Sequence, residues 1–476
     1  MTITPRRGPA RRRRALPGAI ALGLAALPGL AALPGLAAAG GLDFDLIGAR
    51  AIGRAGTTLV SGDGGAALVT DPAGLARSTS LRVQLGVAVH DDDTRFRAPD
   101  AAATGSPTVL DRSAPDLVPT VAVQGALGPV VVGAAYLELG HLDRLLPAPE
   151  LNQPLGVLFP HRYGGLALRY RRRTAVVGAA MRAGDWLGLG VSVGASDVEL
   201  GERRRIWAGF AGRDTIGAEA RDLDLQLSGR DRLVPFAAAG ALVAPPALPL
   251  ELAASLSWSA DANLGGELTL DPTAASAIFP RPAPSGEGEP TAEARLAMPT
   301  TLRAGVRYLG ERFLVELEGD MVWFGAAGAV PVWTTAGMGV ADQSGVTAML
   351  GEVPSLAAQR DHASVRGAVD VELVPGLLWA TAGYAYSSGA TGRAHISPGF
   401  GDLAGHTASL GAEATWNQMT FTIGIARRFS PSVAVSPAES DVVIENPFDA
   451  GTATAGAGRH GRAHDAVGLT MEVAWE

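Results

Sequence analysis

Few residues of this 476-residue chain have both the type and the spacing that catalysis requires. The eight histidines, His90, His141, His161, His362, His395, His406, His460 and His464, are scattered. His460 and His464 stand four apart, as two ligands on a helix would, but in a glycine-rich stretch. There is no cysteine, hence no thiolate ligand, disulfide or thiol nucleophile. Gly62-Asp63-Gly64-Gly65 offers the glycines of a phosphate cradle, which also needs a lysine followed by Ser or Thr. All 39 basic residues are arginine, so that reading fails. No G-x-S-x-G elbow and no alternating acidic calcium loop is present. A net charge of −8 argues against nucleic acid as a partner. The residues point to no enzyme, no cofactor and no metal. What remains is opposite charge at alternate positions: Arg303 with Glu316, Glu318 and Asp320, then Arg366 with Asp370 and Glu372.

Such pairs need strands to position them, and the pattern supplies strands. Phe313, Val315, Leu317, Met321 and Trp323 alternate with Glu316, Glu318 and Asp320. Val365, Val369, Val371 and Leu373 alternate with Arg366, Asp370 and Glu372. A period of two gives each strand one apolar and one polar face. Fourteen strands are predicted: 80–92, 116–126, 129–140, 162–183, 185–203, 219–244, 248–270, 292–309, 311–325, 363–374, 376–388, 406–416, 418–429 and 464–475. The 62 glycines and 32 prolines suit a chain with many turns.

Tight turns follow the even strands, at Leu127-Gly128, Gly184, Pro245-Pro246, Gly310-Glu311, Pro375-Gly376 and Asn417-Gln418. Long connections follow the odd ones. A soluble sandwich has no reason to sort its loops in this way, whereas a bacterial outer-membrane barrel does. The fold class is therefore all-β: a 14-stranded antiparallel transmembrane β-barrel, with apolar faces toward lipid and polar faces toward the lumen. A two-residue turn at Gly310-Glu311 pairs Leu309 with Arg312, and so Arg303 with Glu318. Arg303, Glu316, Glu318, Asp320, Arg366, Asp370 and Glu372 then form a lumen network.

The N-terminus carries an address. Arg6, Arg7 and Arg11 to Arg14 precede an apolar stretch from Ala15 to Leu36, broken by Pro17, Pro28 and Pro34, and then Ala37-Ala38-Ala39. This is the pattern of a secretory signal peptide, read as residues 1–39. Residues 40–79 then precede a barrel of 80–476. Within them Gly62 to Arg77, GDGGAALVTDPAGLAR, reads as a compact segment packed inside the lumen. Asp91-Asp92-Asp93 sits at the outer rim, solvated or bridged through a divalent cation to lipopolysaccharide.

Several segments resemble the FadL family of outer-membrane transporters of long-chain fatty acids and aromatic hydrocarbons. Gly48-Ala49-Arg50-Ala51-Ile52-Gly53-Arg54-Ala55-Gly56, leading to Asp71-Pro72-Ala73-Gly74-Leu75-Ala76, is similar to the family's glycine-rich plug, which ends in Asn-Pro-Ala. His161-Arg162-Tyr163, Asp185-Trp186-Leu187-Gly188-Leu189-Gly190, Met298-Pro299-Thr300-Thr301-Leu302-Arg303-Ala304-Gly305-Val306, Arg360-Asp361-His362 and Gly383-Tyr384-Ala385-Tyr386 resemble its strand openings in order. Two positions depart from the family. Asp71 replaces the asparagine, and Trp475-Glu476 replaces the usual terminal aromatic, often Phe.

The resemblance implies diffusive uptake of a hydrophobic small molecule across the outer membrane of a Gram-negative bacterium. It makes Asp71, Pro72, Ala73 and Gly74 the plug motif and Leu145, Leu146, Val157, Leu158 and Phe159 an outer apolar patch. Its partners would be outer-membrane lipid, lipopolysaccharide and the barrel-assembly machinery, with the chain a monomer. Two other roles stay open: a barrel of this shape serving as a protein-binding subunit of a secretion system, and a general porin.

Overall fold

The computed structural model describes residue 42 and residues 46–475, apart from 63, 100–105, 149–159, 211–212, 274–275, 283–288, 325–329, 342–344 and 449–452. The predicted signal peptide thus lies outside the described residues. Fourteen strands close into a ring: β1 (Leu81–Arg97), β2 (Asp116–Leu127), β3 (Val130–Leu145), β4 (Ala167–Ala183), β5 (Leu187–Trp207), β6 (Asp222–Val243), β7 (Leu250–Ser259), β8 (Thr300–Leu309), β9 (Phe313–Trp323), β10 (His362–Val374), β11 (Leu378–Ser387), β12 (Gly405–Trp416), β13 (Met419–Val435) and β14 (Gly458–Trp475). Each pairs antiparallel with its neighbours, and β14 closes on β1 from Leu81↔Trp475 to Arg97↔Arg459. Closure leaves the ring no open edge, which a sheet in hydrocarbon requires.

The alternation sorts as expected along the outside. Leu85, Val87 and Val89 of β1 and Phe421, Ile423 and Ile425 of β13 are exposed side chains that match a lipid solvent. Trp186, Trp416 and Trp475 stand exposed at the tight-turn end, as an interfacial aromatic girdle does.

Four local expectations need correction. Strand 4 does not begin at 162, because His161–Gly164 forms a helical turn and the strand starts at Ala167. The expected strand 248–270 breaks after Ser259 and resumes as Ala262–Pro272, whose partners are Leu223–Arg230 and Thr291–Leu296. The expected strand 292–309 breaks at the same level, between Leu296 and Thr300. Pro235 and Pro299 stand at this level and have no N–H to give a ladder, while Asp261 accepts from the Met298 N–H across the break at 3.3 Å. Finally, the Gly310 turn is longer than two residues. Gly310 N–H donates to Phe313 O, so Leu309 pairs with Leu314 and Arg303 with Asp320, not Glu318. An offset of two preserves which face each side chain takes. The charges still face the lumen.

The lumen is not polar throughout. Along β5 the buried positions read Ser192 and Ser196, then Val198 and Leu200. The upper interior is an apolar cluster that includes Leu200, Leu225, Leu264, Trp333 and Leu356. The connection between β11 and β12 folds inward onto it through Phe400. Asp402, fully buried, fixes that connection by accepting from Ala390 N–H at 2.8 Å and pairing with Arg462 at 2.7 Å.

Candidate functional site

The described residues of 46–79 lie inside the ring. Gly53 packs on Gly411 and Gly424, Gly65 on Ala122 and Ala135, Pro72 on Gly190, and Leu59 and Val60 on Gly305. These partners sit on β12, β13, β2, β3, β5 and β8, which stand on several sides of the barrel. The segment contains two short helices, α1 (Gly48–Gly53) and α2 (Ala67–Thr70), and a 3-10 turn over Pro72–Arg77.

Charge holds one side of it. Arg54 donates to Glu316 at 2.6 Å and to Asp370, and its Nε donates to Thr57 O at 2.7 Å. The second Glu316 oxygen accepts from the Val60 and Ser61 N–H groups at 2.7 and 3.2 Å. Glu318 accepts from Thr58 and Leu59 N–H at 3.0 and 3.1 Å. Arg366 pairs with Glu318 at 3.8 Å and with Asp320. Five of the residues named from the pattern, Glu316, Glu318, Asp320, Arg366 and Asp370, are brought together here, and Glu316 and Glu318 grip the segment's backbone. Arg54, which joins them, was missed because it lies outside the strand pattern. The other two named residues make further contacts. Arg303 donates to Ser257 Oγ at 3.3 Å. Glu372 accepts from Gly376 N–H at 2.6 Å, capping the tight turn that follows β10.

Small residues hold a neighbouring side, along β5, β6 and β7. Ser192 and Ser255 donate to Leu68 O and Thr70 O at 2.6 and 2.5 Å. Asp71 opens the 3-10 turn by accepting from Ala73 N–H at 3.1 Å. Its carboxylate lies against Gly240, where a Cβ would overlap it. Asp71, Pro72, Ala73 and Gly74 are all buried. Burial pushes the Asp71 carboxyl up to about 7, against the lowering pull of Ala73 N–H and Arg77.

Cavities flank the segment on more than one side. Above it lies a chamber of about 70 Å³ whose walls include Leu139, Phe236 and Phe324 beside Arg172, Arg303 and Arg366. Below it lies a vestibule of about 370 Å³ lined by Thr58, Gln84, Glu413, Thr420 and Thr422.

The wall also has a discontinuity. β2 pairs with β3 only from Val121↔Tyr136 to Leu127↔Val130, although β1 pairs with β2 as far as Asp116. Contact resumes above, where Arg112 N–H donates to Leu145 O. Across the gap Asp116 bridges to His141 at 2.8 Å and to Arg171 at 2.9 Å. His141 lies edge-on to His90, whose Nδ1 is 3.1 Å from His464 Nε2. Chain closure gathers three histidines that are scattered in sequence. At the rim, Asp92 is taken up by Arg144 and Arg462 at 3.0 and 2.8 Å, leaving Asp91 and Asp93 as the outer acidic pair. In the predicted apolar patch, Leu145 is exposed, and Leu146 is buried with Phe96 and Val109. Val157, Leu158 and Phe159 lie outside the described residues.

The ring of fourteen strands, closed around a folded N-terminal segment, defines a membrane β-barrel. No described protein family matches the chain, and no curated protein matches it. Solved structures do. A FadL homologue of Pseudomonas aeruginosa is 14% identical, with a TM-score of 0.69 over 92% of this chain and 100% of that one. The toluene transporter TodX of P. putida is 14% identical, with a TM-score of 0.61 over 93% of this chain and 99% of that one. The toluene transporter TbuX of Ralstonia pickettii is 13% identical, with a TM-score of 0.57 over 93% of this chain and all of that one. The chain therefore has the FadL-type barrel fold.

Proposed function

We propose that the chain is an outer-membrane channel of the FadL kind, exported by its signal peptide and taking up hydrophobic compounds by diffusion. The observation that carries this reading is the order of surfaces along the lumen. An apolar upper interior leads to a chamber that mixes Phe236 and Phe324 with Arg172, Arg303 and Arg366, and a fastened segment stands beneath it. A general porin needs an open aqueous lumen, and nothing in this sequence of surfaces supplies one. Apolar walls desolvate a hydrophobic cargo, and an arginine can meet a polar or carboxylate head. Transport needs no nucleotide or cofactor. Long-chain fatty acids and aromatic hydrocarbons are the substrate classes to test. Uptake of radiolabelled oleate and toluene is compared in a deletion strain with and without the gene. Restoration of either by the gene supports the reading. Identical uptake of both with and without the gene overturns it.

A further inference from the structure

We propose that the outward face of β4, β5 and β6 is a seat for the phosphate of lipopolysaccharide, built from Arg173, Arg230 and Arg232. The inference rests on the outer-membrane placement and not on which cargo moves. From the tight turn upward, the outward side chains of β4 run Met181, Ala179, Val177 and Ala175, then Arg173, Arg171 and Arg169. Arg173 stands ten residues up the strand from Ala183. At about 3.3 Å per residue and a tilt of about 40°, that is about 25 Å, the height of the apolar band of such a barrel. On β5 the change falls at the same level, from the exposed Leu189, Val191 and Val193 to Asp197 and Glu199. Arg173 and Asp197 are partners in register.

A bulge in β6 completes the seat. Ser196 pairs with Val234 and Val198 with Asp231, so Asp197 alone faces both Arg232 and Leu233. A bulge re-aims side chains that a regular strand would send to opposite faces. Here Arg232 and Leu233 are both exposed, Leu233 at 73%. Arg230 donates to Asp197 through Nε and Nη2 at 2.6 and 2.5 Å, and Arg173 and Arg232 act on the same carboxylate from farther away. The row nearest the apolar band thus reads Glu138, Arg173, Asp197 and Arg232, with Arg230 reaching into it. Guanidiniums outnumber carboxylates in that row, and Glu138 is buried, 3.8 Å from Arg173. Arg232 makes no hydrogen bond or ion pair among the described residues. Glu199 and Asp143 stand higher, opposite Arg171 and Arg169, and Arg171 is already taken up by Asp116 at 2.9 Å.

Charge and height select the occupant. An anion held at the outer boundary of the apolar band, on a molecule whose remainder is acyl chain, is a phosphorylated lipid, and in the outer leaflet that lipid is lipopolysaccharide. Guanidinium forks match phosphate oxygens in geometry, and basic side chains at a bilayer surface draw anionic headgroups. Leu233, with the exposed Val191 and Val193 of β5 below the charged row, gives the acyl chains an apolar wall. The competing site is on β1 and β14, where Asp91 faces Asp465 and Asp93 lies two residues on. Carboxylates so placed repel phosphate unless a cation stands between, whereas the β4 to β6 face needs none.

The test uses the full mature chain folded in detergent micelles, with bisphosphorylated lipid A and its dephosphorylated form as probes. Native mass spectrometry reads the lipid retained, and titration of labelled lipid reads the affinity. Arg173→Gln combined with Arg232→Gln removes the charge and spares the Arg230 pair, and the corresponding double lysine variant keeps the charge. Arg427→Gln, at an exposed arginine of β13, is the control. Heat-modifiable migration checks folding, and Arg232→Gln alone replaces a double variant that fails it. The parent should hold the bisphosphorylated lipid at least about tenfold more tightly than the dephosphorylated one, with or without EDTA. The double glutamine variant should lose that preference, the lysine variant should keep part of it, and Arg427→Gln should keep all of it. Inorganic phosphate should compete only in large excess, because it brings no acyl chains. The proposal is overturned if the parent does not distinguish the two lipids or if the double glutamine variant matches the parent. It is overturned equally if EDTA abolishes binding, which moves the contact to Asp91, Asp93 and Asp465 through a cation, or if inorganic phosphate displaces the lipid at equal concentration.

Discussion

The plug meets the barrel wall in two unlike ways. Toward β9 and β10 it is gripped by buried charge, with Arg54 between Glu316 and Asp370 and the Glu316 and Glu318 oxygens closing on four backbone N–H groups. Toward β5, β6, β12 and β13 it rests on missing side chains, at Gly190, Gly240, Gly411 and Gly424. The grip is electrostatic and brittle. Removing one partner leaves an uncompensated charge in a buried site. The seats are steric and graded, since each added carbon pushes the plug a little farther from the wall. In a channel of the kind proposed above, whose plug would have to stay folded yet shift, both kinds would serve. The first fixes where the plug is, and the second sets how closely it fits.

The largest expected effect comes from breaking the grip. Arg54→Ala strands Glu316 and Asp370 in the interior and should destabilise the folded barrel by about 3–5 kcal/mol, the usual cost of removing one partner of a buried pair. Urea unfolding in detergent micelles gives the number. Arg54→Lys should recover part of it, because a point charge replaces a bidentate fork. A loss below 1 kcal/mol for the alanine would show that the network does not hold the plug.

Asp71 comes next, and it separates burial from charge pairing. Its carboxyl is raised to about 7 inside the plug, while an unfolded aspartate titrates near about 3.9. Between those values the folded chain keeps a proton that the unfolded chain has released. The stabilisation is therefore complete below about pH 4 and is lost as pH rises through about 7, at up to about 1.4 kcal/mol per pH unit. Asp71→Asn cannot ionise, so its unfolding midpoint should lack this fall between pH 4 and 7 and should exceed that of the parent at pH 8. Parallel pH curves for the two chains would refute a buried, proton-holding Asp71. The same physics explains why an asparagine suits the position, as in the family motif that Asp71-Pro72-Ala73 resembles.

How much of this contrast could be read in the sequence follows from its physical origin. The grip was legible on the barrel side, because Glu316, Glu318, Asp320, Arg366 and Asp370 sit at every second residue of strands whose other face is apolar. Their register slipped by two because turn length is not set by Gly310 and Glu311 alone. Arg54 was invisible, since no period governs a plug. The glycine seats were invisible too. Gly53 against Gly411 is a contact between backbones hundreds of residues apart, and a lone glycine looks the same whether it turns or simply yields space. The strand break after Ser259 was hidden by an unbroken alternating pattern, and the apolar upper lumen by the rule that lumen faces are polar.

A smaller effect tests the steric half. Gly424→Val places carbon against Ala49 O and Gly53 N of the plug. Overpacking of this kind costs about 1–3 kcal/mol. It should also loosen α1, read as faster hydrogen exchange in residues 48–53 with the Arg54 region unchanged. Uniform acceleration of the whole plug would show that seat and grip are one unit.

The smallest effect supplies the control that makes the first interpretable. Arg230 and Asp197 form a two-pronged pair on β6 and β5, with Nε to Oδ1 at 2.6 Å. That matches the 2.6 Å from Arg54 to Glu316. The difference is water: the Arg230 and Asp197 side chains are 43% and 25% exposed, against 1% and 0% for Arg54 and Glu316. If contact geometry set the energy, the two arginines would count alike. If desolvation does, Arg230→Ala should cost less than about 1 kcal/mol, and that small cost should shrink further in high salt. Removing either arginine leaves a carboxylate behind, but only Asp197 can turn to solvent for its hydration. An Arg230→Ala loss comparable to that of Arg54→Ala would therefore overturn the account of the plug as held by charges that water cannot reach.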